Sequence, residues 1–141
     1  MVSDLVRGDT PRVFVTVPTV ALYGALNALL NLALAMRVTV LRRRERVSVG
    51  VGGSRPLELG VRIHANNAEY VPLALVLLLV AELSGGGSLW LHVLGGTLLL
   101  ARVLHAVGMP LRAPNLPRAL GTGLTWTVIG VNAVWLLFLR S

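Results

Sequence analysis

The sequence predicts an all-α fold, an integral membrane four-helix bundle with up-down topology. Of its 141 residues, 55% are hydrophobic and only 13% are charged, and the mean hydropathy is +0.74. A soluble domain of this length keeps much of its surface in water and could not bury so many apolar side chains. Four apolar stretches, each long enough for the roughly 20 residues that a bilayer-spanning helix needs, divide the chain. Helices are expected because lipid offers no hydrogen-bond partners to free backbone groups.

The four predicted spans belong to one domain, residues 1–141, and three polar or helix-breaking segments separate them. We place the spans at about 13–40, 61–83, 88–109 and 117–140. A basic run followed by a glycine-rich stretch in residues 42–53 predicts a long polar loop. Residues 84–87 predict a tight turn, and three prolines in residues 110–117 end the third span. The short connections imply antiparallel neighbours.

The basic residues are all arginine, and their positions predict the orientation in the membrane. The thirteen arginines give the chain a net charge of +7. The first loop holds five of them: Arg42, Arg43, Arg44, Arg46 and Arg55. The third loop carries Arg112, and the second loop carries none. By the positive-inside rule, the first and third loops are cytoplasmic and both termini lie outside. Because the basic excess lies between apolar segments, it indicates membrane orientation rather than binding to nucleic acid.

The lack of cysteine limits the chemistry that the chain can perform. With no cysteine in the sequence, disulfides, thiolate metal sites and a cysteine nucleophile are excluded. Any thiol chemistry must therefore use a thiol that a ligand brings. No metal site is predicted.

The predicted topology brings polar residues from all four spans to the cytoplasmic side. These residues are Arg37 on the first span, Arg62, Asn66 and Glu69 on the second, Arg102 and His105 on the third, and Arg118 on the fourth. Spacings of three and four residues place those of the second span on one helix face. Charges in hydrocarbon are costly unless they are paired or face a wet cavity. Glu69 is therefore expected to pair with Arg102 or Arg62, and the surplus of arginine predicts a cavity that binds an anion.

Structural explanations compete with this prediction for several residues. Arg37 and Arg118 could extend to the lipid headgroups as anchors of the helix ends. A pair between Glu69 and Arg102 could serve only to hold the bundle together. His105 alone is more often a packing residue than a ligand. The candidate site therefore depends on these residues meeting in one shared cavity.

Other polar residues of the spans are expected to have structural roles. Asn27 and Asn31 are four residues apart on the first span, a spacing that favours hydrogen bonds between neighbouring helices. Glu82 and His92 lie close to the outer ends of their spans, where we expect them to be interfacial. None of these four residues is predicted to bind a ligand.

The second span carries a motif that resembles a known family. Residues 62–72 read RIHANNAEYVP, which is similar to the second-helix signature of MAPEG, the membrane-associated proteins in eicosanoid and glutathione metabolism. In that pattern Asn follows Arg by four residues, Glu follows Asn by three, and Pro comes soon after. Residues 101–105, ARVLH, resemble the end of the family's third helix. The separation of Arg102 and Arg118 is similar to that in the prostaglandin-synthase branch. The resemblance extends from Arg37 to the C-terminus.

This resemblance implies a fold, a co-substrate and a set of site residues. It implies a homotrimer that binds glutathione between neighbouring subunits near the cytoplasmic face. The resemblance assigns glutathione binding to Arg62, Asn66, Glu69 and His105, with Arg102 in support and Arg37 as a first-helix contributor, and it assigns stabilisation of the thiolate to Arg118. The implied function is a glutathione-dependent transferase or peroxidase. Its implied partners are the lipid bilayer, two further copies of the chain and a small lipophilic electrophile or hydroperoxide.

Three departures from the family pattern leave alternatives open. Met109, Ala119 and Thr122 stand where the family's eukaryotic members carry an aromatic hydroxyl residue, a hydroxyl residue and a tyrosine. These changes favour an alternative, a MAPEG-fold membrane protein without transferase activity that binds an unknown anion. A small four-helix transporter is the third possibility. It needs a carboxylate that exchanges protons at mid-membrane, whereas Glu69 among arginines is expected to stay ionised.

Overall fold

The computed structural model describes residues 16–138, which fold into four helices. The helices are α1 (Pro18–Glu45), α2 (Arg55–Leu83), α3 (Ser88–Gly108) and α4 (Leu116–Phe138). Each of them is long and apolar enough to cross a membrane, and the described residues contain no strand. The predicted all-α architecture with four spans is confirmed.

The helix α1 extends further into the first loop than predicted. It runs through the basic residues to Glu45, a correction to the loop predicted from residue 42, because arginine is a good helix former and solvated charges do not interrupt a helix. The residue that follows, Arg46, caps the helix in the left-handed conformation with φ 56°. The Arg42 guanidinium donates to the carbonyls of Ser48 and Gly50, at 3.3 and 2.9 Å, and so holds the loop against the helix end. The predicted start of the span at residue 13 lies outside the described residues.

The N-terminal ends of α2 and α4 are set by capping residues. Helix α2 begins at Arg55 rather than near residue 61, because the Ser54 hydroxyl accepts from the Leu57 amide at 3.4 Å and a proline occupies the first turn. Helix α4 follows Asn115, whose side-chain oxygen accepts from the Arg118 amide at 3.0 Å. The predicted end of the fourth span at residue 140 lies beyond the described residues.

Helices α2 and α3 form the centre of the bundle. Each of them contacts all three other helices, whereas α1 and α4 do not contact each other. An apolar core joins the second half of α2, the first half of α3 and the middle of α4. Its buried members are Ala74, Leu78, Ala81, Leu91, Leu94, Leu98 and Val128. A cluster of buried polar side chains lies on the side of this core that faces the first and third loops: Asn67, Arg102, His105 and Thr125. This asymmetry places the candidate site at one end of the bundle.

At the apolar end, a side chain of α2 caps the start of α1. The two carboxylate oxygens of Glu82 accept from the backbone amides of Thr19 and Val20, at 2.9 and 2.8 Å. The first amides of a helix have no partner within the helix, so this carboxylate completes the first turn of α1. Nearby, the Tyr23 hydroxyl lies 3.2 Å from Nδ1 of His92. Glu82 and His92, expected only as interfacial residues, thus join three helices.

Candidate functional site

The guanidinium of Arg102 is the polar centre of the bundle interior. Arg102 is only 2% exposed, although it is charged and lies in a membrane-spanning helix. Its Nε donates to Oδ1 of Asn67 at 3.1 Å, and its Nη2 donates to Oδ1 of Asn66 at 2.8 Å. Its Nη1 donates to the hydroxyl of Thr125 at 3.3 Å, and Nη2 lies 3.5 Å from Nδ1 of His105. One side chain of α3 therefore binds both α2 and α4.

The bond to Arg102 fixes the orientation of a second amide and extends the network to α1. A guanidinium can only donate hydrogen bonds, so Asn67 must turn its oxygen toward Arg102. Its Nδ2 then faces α1, where it donates to Oδ1 of Asn31 at 3.1 Å. The expectation that Asn31 bonds a neighbouring helix is met. Asn27 instead donates to the Tyr23 carbonyl of its own helix at 2.9 Å.

A close approach of α3 and α4 brings Thr125 within reach of Arg102. A Cβ atom at Gly121 would lie 2.5 Å from the backbone nitrogen of His105, so only glycine permits this contact. The Thr125 hydroxyl donates to the Gly121 carbonyl at 2.7 Å. Since a hydroxyl has one hydrogen and two lone pairs, Thr125 can also accept from Arg102.

The expected ion pair between Glu69 and an arginine does not form within the described protomer. Arg102 contacts amide, hydroxyl and imidazole groups, and across residues 16–138 no carboxylate pairs with it. Glu69 and Arg62 are both exposed. The reason is the register of α2, which turns Ile63 and Asn67 inward and leaves the face that carries Glu69 on the outside. The argument against a transporter, which relied on pairing of Glu69, therefore has no support within one protomer.

The structure thus brings together only part of the predicted site. Arg102 contacts both Asn66 and His105, with His105 buried and Asn66 half-buried. Four predicted residues are exposed on the surface of the protomer: Arg37, Arg62, Glu69 and Arg118. No group of three His, Cys, Asp or Glu side chains suited to a metal ion occurs among the described residues.

Arg118 lies in the first turn of α4 beside an apolar cavity. Its amide is capped by Asn115, which also donates from Nδ2 to the Gly108 carbonyl at 3.0 Å and so ties the third loop to the end of α3. The cavity has a volume of about 440 Å³, and its lining includes Arg118, Ala119, Gly123 and Trp126. An apolar molecule in this cavity would therefore lie beside Arg118.

Sequence reasoning missed the supporting roles of Asn67 and Thr125. Asn67 is part of the motif in residues 62–72, but its neighbour Asn66 was the residue assigned to the site. A helix turns by 100° per residue, so two adjacent asparagines face different directions. The signal that could have identified Asn67 is its spacing of four residues from Ile63 and from Val71, which are both buried.

Comparison with known proteins identifies the family. Residues 20–138 match the MAPEG family. The chain is 36% identical over 115 residues to the protein of Escherichia coli K12 named Inner membrane protein YecN, which covers 82% of this chain and 80% of that relative. The protein of the same name from Escherichia coli O6:H1 shows the same identity and coverage. No solved structure matches the chain significantly. The resemblance of the motif in residues 62–72 is thus confirmed, and this integral, multi-pass membrane protein belongs to the MAPEG family.

Proposed function

We propose that this protein is a membrane-embedded, glutathione-dependent transferase or peroxidase, active as a homotrimer with glutathione between its subunits. The observation that carries the proposal is the buried Arg102, whose positive charge no carboxylate of the described residues neutralises. Removing a charge from water costs several kcal/mol unless an opposite charge compensates it. Neutral amides satisfy its hydrogen bonds but not its charge. An anion bound in front of Asn66 and His105 would complete the balance.

The residue types of the candidate site match the groups of glutathione. Glutathione carries two carboxylates, one ammonium group and one thiol. Guanidinium groups bind carboxylates through paired hydrogen bonds, a role for Arg62 and Arg37. The carboxylate of Glu69 can accept from the ammonium group. Each charged group of the co-substrate thus has a partner of opposite sign.

The exposed position of these charges supports the proposed homotrimer. Arg37, Arg62 and Glu69 lie on membrane-spanning helices and face out of the protomer. Charged side chains at such positions are costly in lipid, and they normally face a bundle interior or a wet cavity. A second copy of the chain would cover these faces and create that cavity. Since the arginine distribution predicts that the first and third loops are cytoplasmic, we expect this cavity to lie near the cytoplasmic face.

Arg118 would stabilise the thiolate of glutathione. A free thiol has a pKa of about 8.5, and a nearby cation or a helix N-terminus lowers it. Arg118 offers both, because its guanidinium belongs to the first turn of α4. A decrease of one pKa unit, about 1.4 kcal/mol, would raise the thiolate fraction at neutral pH severalfold.

The thiolate could then react in either of two ways. With an electrophile, its sulfur forms a bond to carbon while a leaving group departs with the displaced electron pair. With a hydroperoxide, the sulfur attacks the terminal oxygen, the O–O bond breaks, and an alcohol leaves after protonation. A second glutathione then converts the sulfenic acid to glutathione disulfide and water. The apolar cavity beside Arg118 suits a lipophilic partner for either reaction.

A matched pair of variants tests this function. We expect Arg118→Ala to lower the turnover of 1-chloro-2,4-dinitrobenzene by at least tenfold, with the trimer intact by light scattering and glutathione still bound by titration calorimetry. Arg112→Ala, which removes an exposed arginine of the third loop, should keep full activity. Normal turnover by Arg118→Ala would refute the role of Arg118 in thiol activation.

One observation favours the second candidate, a MAPEG-fold protein that binds a different anion. The Thr122 hydroxyl donates to the Arg118 carbonyl at 3.0 Å, so its hydrogen is not available to a thiolate. Met109 and Ala119 have no hydroxyl to replace it. If calorimetry detects no binding of glutathione to the intact trimer, while a small dicarboxylate binds and Arg102 is required, this second function is the correct one.

A further inference from the structure

A second cavity, separate from the Arg118 cavity, lies between α1 and α2. Its volume is about 300 Å³. Three amide side chains line it, those of Asn27, Asn31 and Asn67, and small residues form part of its wall, among them Gly24, Ala28 and Ala68. No residue with an ionisable side chain lines it. The α1–α2 cavity is therefore uncharged, and apart from the three amides its walls are apolar.

One of the asparagines that line this cavity has a buried hydrogen-bond acceptor without a partner among residues 16–138. Asn27 is 0% exposed, and its Nδ2 donates to the Tyr23 carbonyl at 2.9 Å. A carbonyl can only accept, so this contact fixes which end of the amide is nitrogen. The other end, Oδ1, is buried and receives no hydrogen bond. Leaving such an acceptor unsatisfied costs about 1–3 kcal/mol, so the position favours a molecule that donates a hydrogen.

The same cavity also offers a donor and a second acceptor. Asn31 uses its Oδ1 to accept from Asn67, and its Nδ2 has no acceptor among residues 16–138. In α2, Pro72 lacks the N–H that would bond the Ala68 carbonyl, and both residues line the cavity. A ligand in this cavity therefore meets both hydrogen-bond donors and hydrogen-bond acceptors.

We propose that the α1–α2 cavity binds a small, uncharged molecule that carries a hydroxyl group and is dissolved in the bilayer, an alcohol or a phenol. A hydroxyl donates one hydrogen and has two lone pairs, so it can donate to Asn27 and accept from Asn31 at once. A water molecule takes about 30 Å³ of liquid volume, so a cavity of about 300 Å³ holds roughly ten heavy atoms. This inference does not depend on glutathione or on Arg118.

Photolabelling of the full chain in lipid nanodiscs tests the site. The probe is an octanol that carries a diazirine, and labelled residues are mapped by mass spectrometry. We expect labelling within residues 24–31 and 68–75, with protection by 4-propylphenol but not by propylbenzene, which lacks the hydroxyl. Equal protection by both competitors would show that the hydroxyl is not recognised. Label that appears only after the oligomer is dispersed would show that a second copy covers the cavity. Either result overturns the proposal.

Two matched pairs of variants locate the binding. Asn27→Leu removes the unpaired acceptor, and Asn132→Leu is its control, since Asn132 is equally buried, has an unpaired Oδ1 and lies outside the cavity. We expect Asn27→Leu to weaken protection by 4-propylphenol by about two- to tenfold, the range of one neutral hydrogen bond, and Asn132→Leu to leave it unchanged.

The second pair fills the cavity instead of removing a polar group. A Cβ atom at Gly24 meets no atom within 4 Å, so Gly24→Leu should occupy the cavity without strain and abolish labelling. Gly130→Leu, at an equally open position on α4, should not. If Gly24→Leu and Asn27→Leu both retain the labelling and protection of the natural chain, the ligand does not bind in this cavity.

Discussion

Replacing Asn67 by leucine breaks the network around Arg102 at its most buried point. Leucine has the same number and branching of side-chain heavy atoms as asparagine but no polar atom, so it is the closest apolar replacement in shape, with two bulkier methyl groups. The substitution removes the acceptor of the Arg102 Nε, 3.1 Å away, and the donor of Asn31, also 3.1 Å away. Arg102 is only 2% exposed, so water cannot replace the bond to its Nε.

The two lost bonds set the size of the effect. A hydrogen bond to a charged group contributes about 1.5–3 kcal/mol, and a neutral one about 0.5–1.5 kcal/mol. We therefore expect Asn67→Leu to destabilise the protein by about 2–4 kcal/mol, mainly because the buried guanidinium loses a partner. Adding Arg102→Met removes the stranded charge. The double variant should then be more stable than Asn67→Leu alone, with a coupling energy of about 1–3 kcal/mol.

Reversible unfolding in mixed micelles, with helix content followed by circular dichroism while SDS is titrated in, measures these differences. The control is Asn132→Leu, which removes a buried asparagine whose only bond is to the Val128 carbonyl of its own helix, at 2.9 Å. That change should lower stability by less than 1 kcal/mol, roughly the value of a single neutral hydrogen bond. Strict additivity of Asn67→Leu and Arg102→Met would refute the reasoning, because it would mean that the two side chains do not interact.

Two further predictions concern contacts between helices. Gly121→Ala places a Cβ 2.5 Å from the backbone nitrogen of His105, so it should cost about 1–3 kcal/mol in the same unfolding assay; Gly123→Ala, with open space around it, should cost less than about 0.5 kcal/mol. Glu82→Gln keeps one acceptor for the two amides that start α1 but loses the charge and the second acceptor. It should destabilise by about 1–2 kcal/mol and speed hydrogen exchange at those amides, and exchange at the natural rate would contradict the cap.

The lengths of the apolar stretches were sufficient to predict the four spans, because the thickness of a bilayer fixes how many residues a helix needs. The helix ends were harder to place. Residues 42–45 are polar enough for a loop, yet they are helical, since composition does not distinguish a solvated helix from a solvated loop. The start of α2 could have been predicted from the sequence, because Ser54 followed by Pro56 is a capping signal that hydropathy alone does not detect.

The candidate site was predictable in composition but not in its contacts. Spacing correctly grouped Arg62, Asn66 and Glu69 on one face of α2, but it could not say which face turns inward. That choice depends on packing against α3, which a single sequence does not record. The partner of Arg102 was therefore expected to be a carboxylate, whereas its partners on α2 proved to be the amides of Asn66 and Asn67.

The cap that Glu82 provides has a consequence for the biogenesis of the protein. During synthesis α1 leaves the ribosome first, yet the partner of its first amides lies 62 and 63 residues further along the chain. Until that carboxylate arrives, those amides can be satisfied only by water or headgroups, which keeps the N-terminal end of α1 near a membrane surface. We expect α1 and α2 to settle together as a helical hairpin, rather than α1 moving into lipid on its own.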